Sequence, residues 1–337
     1  MQNPFTTTFS KMPEYTYIAT EQPEEILNNF AYDNPSESVY KITGVRGSGK
    51  TVILARIEDE LRKGQYHSDG WCVCDLNPPR DILMQFASML QKEGLAKDSK
   101  GFSSEQNEKF FDIGVEIELM LQMAQKKRKK FLIGIDEVSK SSEMIIFASE
   151  FGKWLRAGYP VYLVCTGLYE NMRELSNVKN LTFFRRATTV QTAPLSTIKM
   201  SEMYKNKLNV DNETAKTMSK LTKGYAYAFQ ELGVLYFKKR PEETLEDIVA
   251  SLKSELYAYS YEKIWEEMSE GDQLMTKILT DKEEYKREEV LKCMGERSNN
   301  YSVYRDRLLK KGIIFSRQGY ISLALPFFAD YVKEYCI

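Results

Sequence analysis

Residues 44–51 read GVRGSGKT, and no other stretch constrains the chain as tightly. The pattern is G-x-x-x-x-G-K-[ST], a loop whose backbone N–H groups wrap a phosphate, and it requires a strand before it and a helix after it. The run at 39–42 supplies the strand and residues 52–63 the helix. Gly44, Gly47 and Gly49 let the backbone close around an anion without Cβ clashes. The following helix N-terminus adds partial positive charge. In this pattern Lys50 reaches the β- and γ-phosphates of a triphosphate and Thr51 is a Mg2+ ligand. Arg46, Ser48 and Val52 complete the expected nucleotide-contacting stretch. Two roles are open to Arg46, a phosphate contact and a surface ion pair.

A second signal lies downstream. FLIGIDE, residues 131–137, is an apolar run ending in two carboxylates. Asp136 is the expected Mg2+ ligand, mostly through water, and Glu137 the group that orients and activates an attacking water. The alternative is an acidic pair at a helix N-terminus. The next apolar run, VYLVCT at 161–166, ends in Thr166. That hydroxyl is a candidate γ-phosphate sensor or water-positioning group, and equally a candidate N-cap for the segment after it. Arg185 and Arg186 precede the last core strand. Arg186 is the candidate arginine finger, and a plain surface pair is the competing reading.

Composition narrows the classes. The chain has 337 residues, enough for two or three domains, and is 42% hydrophobic and 28% charged, which is globular. A formal net charge of -1 gives no global basic field. The five cysteines, Cys72, Cys74, Cys165, Cys293 and Cys336, form no C-x-x-C and read as buried reduced thiols. His67 is the only histidine, which disfavours histidine-based metal sites and Ser-His-Asp chemistry. The N-terminal segment lacks the apolar core of a signal peptide, and no run approaches a membrane span. The expected compartment is therefore the cytoplasm. KKRKK at 126–130 reads as a solvated helix C-terminus.

Through residue 195, strands and helices alternate. Strands are expected at Val39–Thr43, Trp71–Leu76, 131–136, 161–166 and 188–192. Helices are expected at 23–30, 51–63, 79–93, 104–127, 142–157 and 169–175. This is the pattern of an α/β fold, a parallel sheet covered on both faces, with its ligand at the carboxyl ends of the strands. Residues 196–260 turn helical and form an expected lid. Residues 261–337 run helices, Gly312, a short strand, the turn 316–319 and a second strand, the order of a winged helix-turn-helix. The expected domains are thus 1–195, 196–260 and 261–337. Between 299 and 319 the bases Arg305, Arg307, Lys310, Lys311 and Arg317 face only Asp306, a net charge of +4. A recognition helix and wing need such charge, and Arg305, Lys310, Lys311 and Arg317 are the candidate contacts to double-stranded DNA. A winged helix used only for protein packing is the alternative, and the acidic stretch with Glu283, Glu284, Glu288 and Glu289 favours it.

Taken together, the chain resembles prokaryotic ATPases with an origin-recognition-like AAA+ core, close to the archaeal-type and STAND branches. The resemblance rests on Asn3-Pro4-Phe5 with Phe9 and Pro13, on GVRGSGKTVIL at 44–54, and on Ile135-Asp136-Glu137. It extends through Phe184 to Arg186, Ala193 to Ser196, KGYAYAFQ at 223–230, YRDRLLKKGII at 304–314 and LPFF at 325–328. It implies a P-loop AAA+ ATPase core that binds ATP and Mg2+, a helical lid switched by the nucleotide, and a C-terminal winged helix with DNA as a partner. It also implies an N-terminal strap across the adenine. The sequence departs from the pattern at Ala226, where related chains often carry proline. It also has no arginine in the lid motif, where Lys223 is the nearest cation, and slow turnover is expected. The leading expectation is an ATP-dependent switch acting with DNA. The alternative is a signalling ATPase of the STAND type whose partners are proteins, and a protein client or a second copy of the chain is compatible with either. A metabolic P-loop kinase is a third reading, weakened by the Asp-Glu pair and the helical C-terminal appendages.

Overall fold

The computed structural model describes residues 2–8, 12–63, 70–95 and 112–337. Phe9, His67 and the 104–111 part of the expected helix 104–127 lie outside the described residues. The chain divides into two compact units. One holds Glu21–Thr43 and Ile53–Val190, and the other Met1–Thr20, Gly44–Val52 and Gln191–Ile337. The N-terminal segment and the glycine-rich loop group with the C-terminal residues.

The first unit is the α/β layer. Its order is α1 (Glu21–Phe30), β1 (Val39–Thr43), α2 (Lys50–Lys63), β2 (Trp71–Leu76), α3 (Ile82–Lys92), α4 (Ile113–Lys126), β3 (Lys130–Ile135), α5 (Ser142–Arg156), β4 (Val161–Gly167), α6 (Tyr169–Ser176), α7 (Thr182–Arg186) and β5 (Thr188–Gln191). The strands lie in the order β2-β3-β4-β1-β5. The pairs β2–β3, β3–β4 and β4–β1 are parallel. Successive side chains on a strand point to opposite faces, and β3 follows this rule. Phe131, Ile133 and Ile135 join the core formed with α3, α4 and α5, where Phe86, Phe147, Phe151 and Trp154 cluster. Leu132 joins the opposite core, with Phe30, Tyr40, Ile57 and Leu61. A strand covered on both faces must be apolar throughout. The one unexpected helix is α7, only five residues long. Its position is set by Lys41, buried on β1, whose ammonium donates to the Phe184 carbonyl at 2.8 Å and lies over the Phe184 ring. Cys74 and Cys165 are buried, and burial pushes the Cys165 thiol up to about 12. Cys293 is exposed, which corrects the expectation of five buried thiols.

Gly134 of β3 faces α2, and a Cβ there would overlap the carboxyl of Glu58. Glu58 is 5% exposed, and its Oε1 has no hydrogen-bond partner. Burial first, then the Asp75 carboxylate, pushes its pKa up to about 7, against a pull from Arg62. A carboxyl whose folded pKa lies above its unfolded value stabilises the fold below the unfolded pKa, and the contribution is lost as pH rises through the folded one. We expect Glu58→Gln to leave thermal stability near wild type at pH 4.5. By pH 8 the variant should be the more stable, by on the order of 2–3 kcal/mol. Parallel melting curves of the two proteins from pH 4.5 to 8 measure it, and a constant difference would exclude Glu58 as the titrating group.

The second unit is mostly helical. Its elements are α8 (Thr197–Leu208), α9 (Asn212–Leu221), α10 (Ala226–Lys238) and α11 (Leu245–Leu256), then a π-helical turn (Tyr257–Tyr261), α12 (Glu262–Glu266) and α13 (Glu270–Ile278). They continue with β6 (Tyr285–Lys286), α14 (Arg287–Met294), a 3-10 turn (Gly295–Asn300), α15 (Tyr301–Lys311), β7 (Ile314–Arg317), β8 (Tyr320–Leu323) and α16 (Phe328–Tyr335). Helix starts follow capping chemistry. Ser196 and Asp211 accept N-terminal amides of α8 and α9, and Thr244 with Asp247 forms a capping box on α11. The strands form an antiparallel sheet ordered β6-β8-β7. Among the described residues no helix is long and apolar enough to cross a membrane.

The N-terminal segment is tied into this unit. Phe5 is buried against Tyr204 and Phe229, with ring centroids at 5.6 Å from each. Gln230 accepts the Thr6 amide and the Thr16 hydroxyl and donates to the Thr16 carbonyl. The Phe5 ring lies where a Cβ on Gly233 of α10 would fall. Phe5 is therefore a core side chain of the helical unit. Gly233→Ala should displace it, at a cost of roughly 1–3 kcal/mol. Limited proteolysis should then cut the N-terminal segment sooner than in wild type, and an unchanged digestion pattern would contradict this packing.

Candidate functional site

The glycine-rich loop leaves the carboxyl end of β1, whose last residue Thr43 pairs with Gly167 of β4. Gly47 and Gly49 take left-handed φ of 69° and 92°, a region glycine enters without strain. Helix α2 starts at Lys50, so its free N-terminal amides open onto the loop. The Lys50 ammonium donates to the Gly44 and Val45 carbonyls at 3.1 and 2.9 Å. Gly44 has no room for a side chain, since a Cβ would overlap Thr192 and lie 2.6 Å from Ser48 Oγ. Ser48 Oγ is buried without a hydrogen-bond partner. A buried hydroxyl of that kind in a left-handed glycine loop suits an oxyanion such as a phosphate. Arg46 takes one of its two open roles, an ion pair with Glu267 at 2.5 Å. Thr51 and Val52 lie half-buried in the first turn of α2.

Several groups that sequence reasoning missed surround this loop. The Tyr225 hydroxyl donates to the Arg46 carbonyl at 2.7 Å, and the Tyr227 amide donates to the Gly47 carbonyl at 3.0 Å. Gly312, the left-handed cap ending α15, lies against Val45. Gln191 donates to the Leu309 carbonyl at 2.7 Å. Tyr225 follows Gly224 directly in the 223–230 motif, so that signal was present. Glu267 carried none, because one acidic residue among Glu262, Glu266 and Glu270 resembles any solvated charge.

Asp136, Glu137 and Thr166 belong to the other unit and are close to one another. Thr166 is fully buried at the end of β4. Its hydroxyl donates to the Asp136 carboxylate in a short hydrogen bond and accepts the Glu137 amide at 3.1 Å. The Val138 amide donates to the Thr166 carbonyl at 2.8 Å. Thr166 thus clamps the acidic pair. It does not cap α6, whose N-cap is Leu168 without a side-chain bond. Glu137 has φ 54°, a conformation uncommon away from glycine and concentrated at working sites, and the residue is exposed. The pair does not start a helix, since α5 begins at Ser142 and is capped by Ser141. Among the described residues no three His, Cys, Asp or Glu side chains converge. A hydroxyl and a carboxylate, completed by phosphate and water oxygens, are the ligand set a Mg2+ ion takes. Arg185 and Arg186 are both exposed on α7.

The basic stretch is less available than its charge suggests. Asp272 is fully buried and binds Arg307 at 2.6 Å and Lys311 at 2.9 Å. Lys310 pairs with Asp306. Arg305 donates to Ser316 on β7 at 2.8 Å, and Arg317 is exposed at the end of that strand. Of the four candidate DNA contacts, Lys311 is therefore committed to the interior.

Residues 258–332 match a family model described as a domain of unknown function (DUF8462). No curated protein matches the chain. Among solved structures the chain is similar to a Walker-type ATPase of Pyrococcus abyssi, with 12% identity, a TM-score of 0.66, and 96% of this chain and 98% of that one covered. It is similar to the ORC2 protein of Aeropyrum pernix in its ADPNP–ADP complexes, with 11% identity, a TM-score of 0.57, and 97% and 96% covered. It is also similar to Cdc6p of Pyrobaculum aerophilum, with 14% identity, a TM-score of 0.51, and 97% of each chain covered. At such identities the likeness is one of fold, and it extends over nearly the whole length. With the five-stranded parallel sheet and its glycine-rich loop, the chain has the fold of a P-loop ATPase with an origin-recognition-like AAA+ core.

Proposed function

We propose that this protein is a Mg2+-dependent ATP-binding and ATP-hydrolysing switch that acts on or with DNA in the cytoplasm, with slow turnover. The observation that carries the reading is the left-handed loop of Gly47 and Gly49 at the start of α2, with the buried unpartnered hydroxyl of Ser48. Residues 44–52 would hold the phosphates, with Lys50 turning from its loop carbonyls toward them. Thr51 and Asp136 would hold Mg2+, which when bound neutralises charge on the phosphate oxygens. Glu137 would accept a proton from the attacking water, its backbone steadied by Thr166. Arg186, exposed on α7, would be the arginine finger, acting on its own nucleotide or on one bound by a second copy. The Aeropyrum pernix protein of like fold was solved with ADPNP and ADP, which supports ATP as the ligand.

We read α13 to β8 as a winged helix, with α15 as its recognition helix and β7–β8 as its wing. The cations that would face a phosphate backbone are Arg305, Lys310, which would exchange its pairing with Asp306 for a phosphate, and Arg317. A second reading, a signalling ATPase with protein partners only, is favoured by one observation. Asp272 draws Arg307 and Lys311 inward and cancels one of their two charges, which weakens the basic face.

Three outcomes are expected. Lys50→Ala should weaken ATP binding roughly tenfold or more, since a charged hydrogen bond contributes about 1.5–3 kcal/mol; normal turnover in that variant removes the site assignment. Glu137→Gln should bind ATP normally and hydrolyse it roughly 10²–10⁴-fold more slowly. In a duplex-DNA titration, the slope of log affinity against log salt should be about −2 to −3, and Arg317→Ala should reduce it by about one. No duplex binding at low salt would leave the protein-partner reading standing.

A further inference from the structure

The outer side of the phosphate loop is held by a small hydrogen-bonded chain. Tyr225 Oη lies 2.7 Å from the Arg46 carbonyl and 2.7 Å from Ser260 Oγ. A carbonyl only accepts, and a phenol has one proton to give. Tyr225 therefore donates to Arg46, and Ser260 donates to Tyr225. Two residues further on, the Tyr227 amide donates to the Gly47 carbonyl. In a trans peptide the C=O and the following N–H point in opposite directions. Pinning the Arg46 carbonyl toward the start of α10 turns the Gly47 N–H to the opposite side, while the Ser48 N–H donates to the Val45 carbonyl at 3.2 Å. The Gly47 N–H is one with which a loop of this pattern holds a phosphate.

We infer that Tyr225 is a positioning residue of the nucleotide loop, setting the Gly47 N–H through the Arg46 carbonyl, and that Ser260 ties this setting to the 258–332 segment. The inference rests on the ATP-binding reading above. Its geometry is tight: a Cβ on Gly47 would overlap the Tyr225 hydroxyl and lie 2.8 Å from Tyr227 Cβ. Tyr225 and Ser260 are 5% and 3% exposed, so water does not replace either bond. Burial pushes the Tyr225 phenol far above its ordinary pKa, which keeps its proton in place at every working pH. Ser260 lies in the π-helical turn Tyr257–Tyr261, an irregularity that often marks a working site. The turn is itself anchored, because the Tyr261 hydroxyl donates to the Pro326 carbonyl. Glycine at 47 enters its left-handed conformation freely and leaves it as freely, so an outside group must hold it.

The test is equilibrium binding of ATPγS to the full chain, with Lys50→Ala as the reference. Tyr225→Phe should weaken binding roughly three- to tenfold, the effect of one buried hydrogen bond. The melting temperature should fall by only about 2–4 °C, the cost of one buried hydrogen bond, and the loss in affinity should exceed any change in kcat at saturating ATP. Ser260→Ala should act in the same direction and less strongly. The double variant should bind no more weakly than Tyr225→Phe alone, because the two groups act in series. If Lys50→Ala abolishes binding and Tyr225→Phe binds like wild type, the inference fails alone. If Lys50→Ala binds like wild type, the nucleotide-site reading fails. Additive losses in the double variant would overturn the link to Ser260. Should Tyr225→Phe fail to fold, Ser260→Ala decides the question, and unchanged affinity overturns the proposal.

Discussion

A strand covered on both faces disfavours charge along its length, so polar chemistry collects at its carboxyl end; Lys41 of β1, held by the Phe184 carbonyl, is an exception. Strand β3 obeys that constraint from Phe131 to Ile135, each fully buried, and the first carboxylates come directly after it. The neighbouring β4 follows the same rule and carries Thr166 next to its last residue. Parallel registration of β3 with β4 aligns these ends, and the Thr166 hydroxyl can then bind Asp136 and the Glu137 amide together. The bend that exposes Glu137 follows from this contact. Its left-handed backbone would be unfavourable without hydrogen bonds on both sides of it. The apolar interior thereby determines where the acidic pair stands and how it is aimed.

The phosphate loop is governed by a different limit, the directionality of the peptide bond. Glycines allow the loop its curvature, but they do not choose which way its carbonyls face. That choice is made by Tyr225 and Tyr227, far along the chain. These contacts explain why residues 44–52 associate with the helical unit although they follow a strand of the α/β layer. Conformational change in the 258–332 segment thus has a direct physical route to the loop's amides. The C-terminal end of α15 is attached to the same region through Gly312 and Gln191, so the helix with the basic residues and the loop with the glycines share one support.

Burial of Asp272 shows how a charge count can mislead. From 299 to 319 the sequence carries a surplus of positive charge, and a surplus in a helix-turn-hairpin suggests a polyanion. An acid outside that window, fully buried, binds two of those cations from beneath. Removing Asp272 would take away the one carboxylate that these two partly buried cations share, so the three form one structural unit. What remains for a partner is a narrower set around Arg305, Lys310 and Arg317.

Local rules were enough for much of this protein. The strands Val39–Thr43 and Trp71–Leu76 follow from apolar runs between turn residues. The loop at 44–51 follows from glycine spacing, and the acidic pair from its position after a buried strand. These features depend on neighbours in sequence, so the sequence by itself determined them. The short helix α7 was not legible, since its cause is a buried lysine on β1 at long range. Thr166 had two local readings, sensor and helix cap, and only the register of β4 beside β3 made it a clamp. Tyr225, Ser260, Glu267 and Asp272 act through partners distant in sequence, and nothing in their immediate surroundings announces those partners. The amino-acid order settled which groups are present at the carboxyl ends of the strands. Tertiary packing decided which of them are held, neutralised or turned outward, because hydrogen-bond direction and burial are properties of the assembled chain.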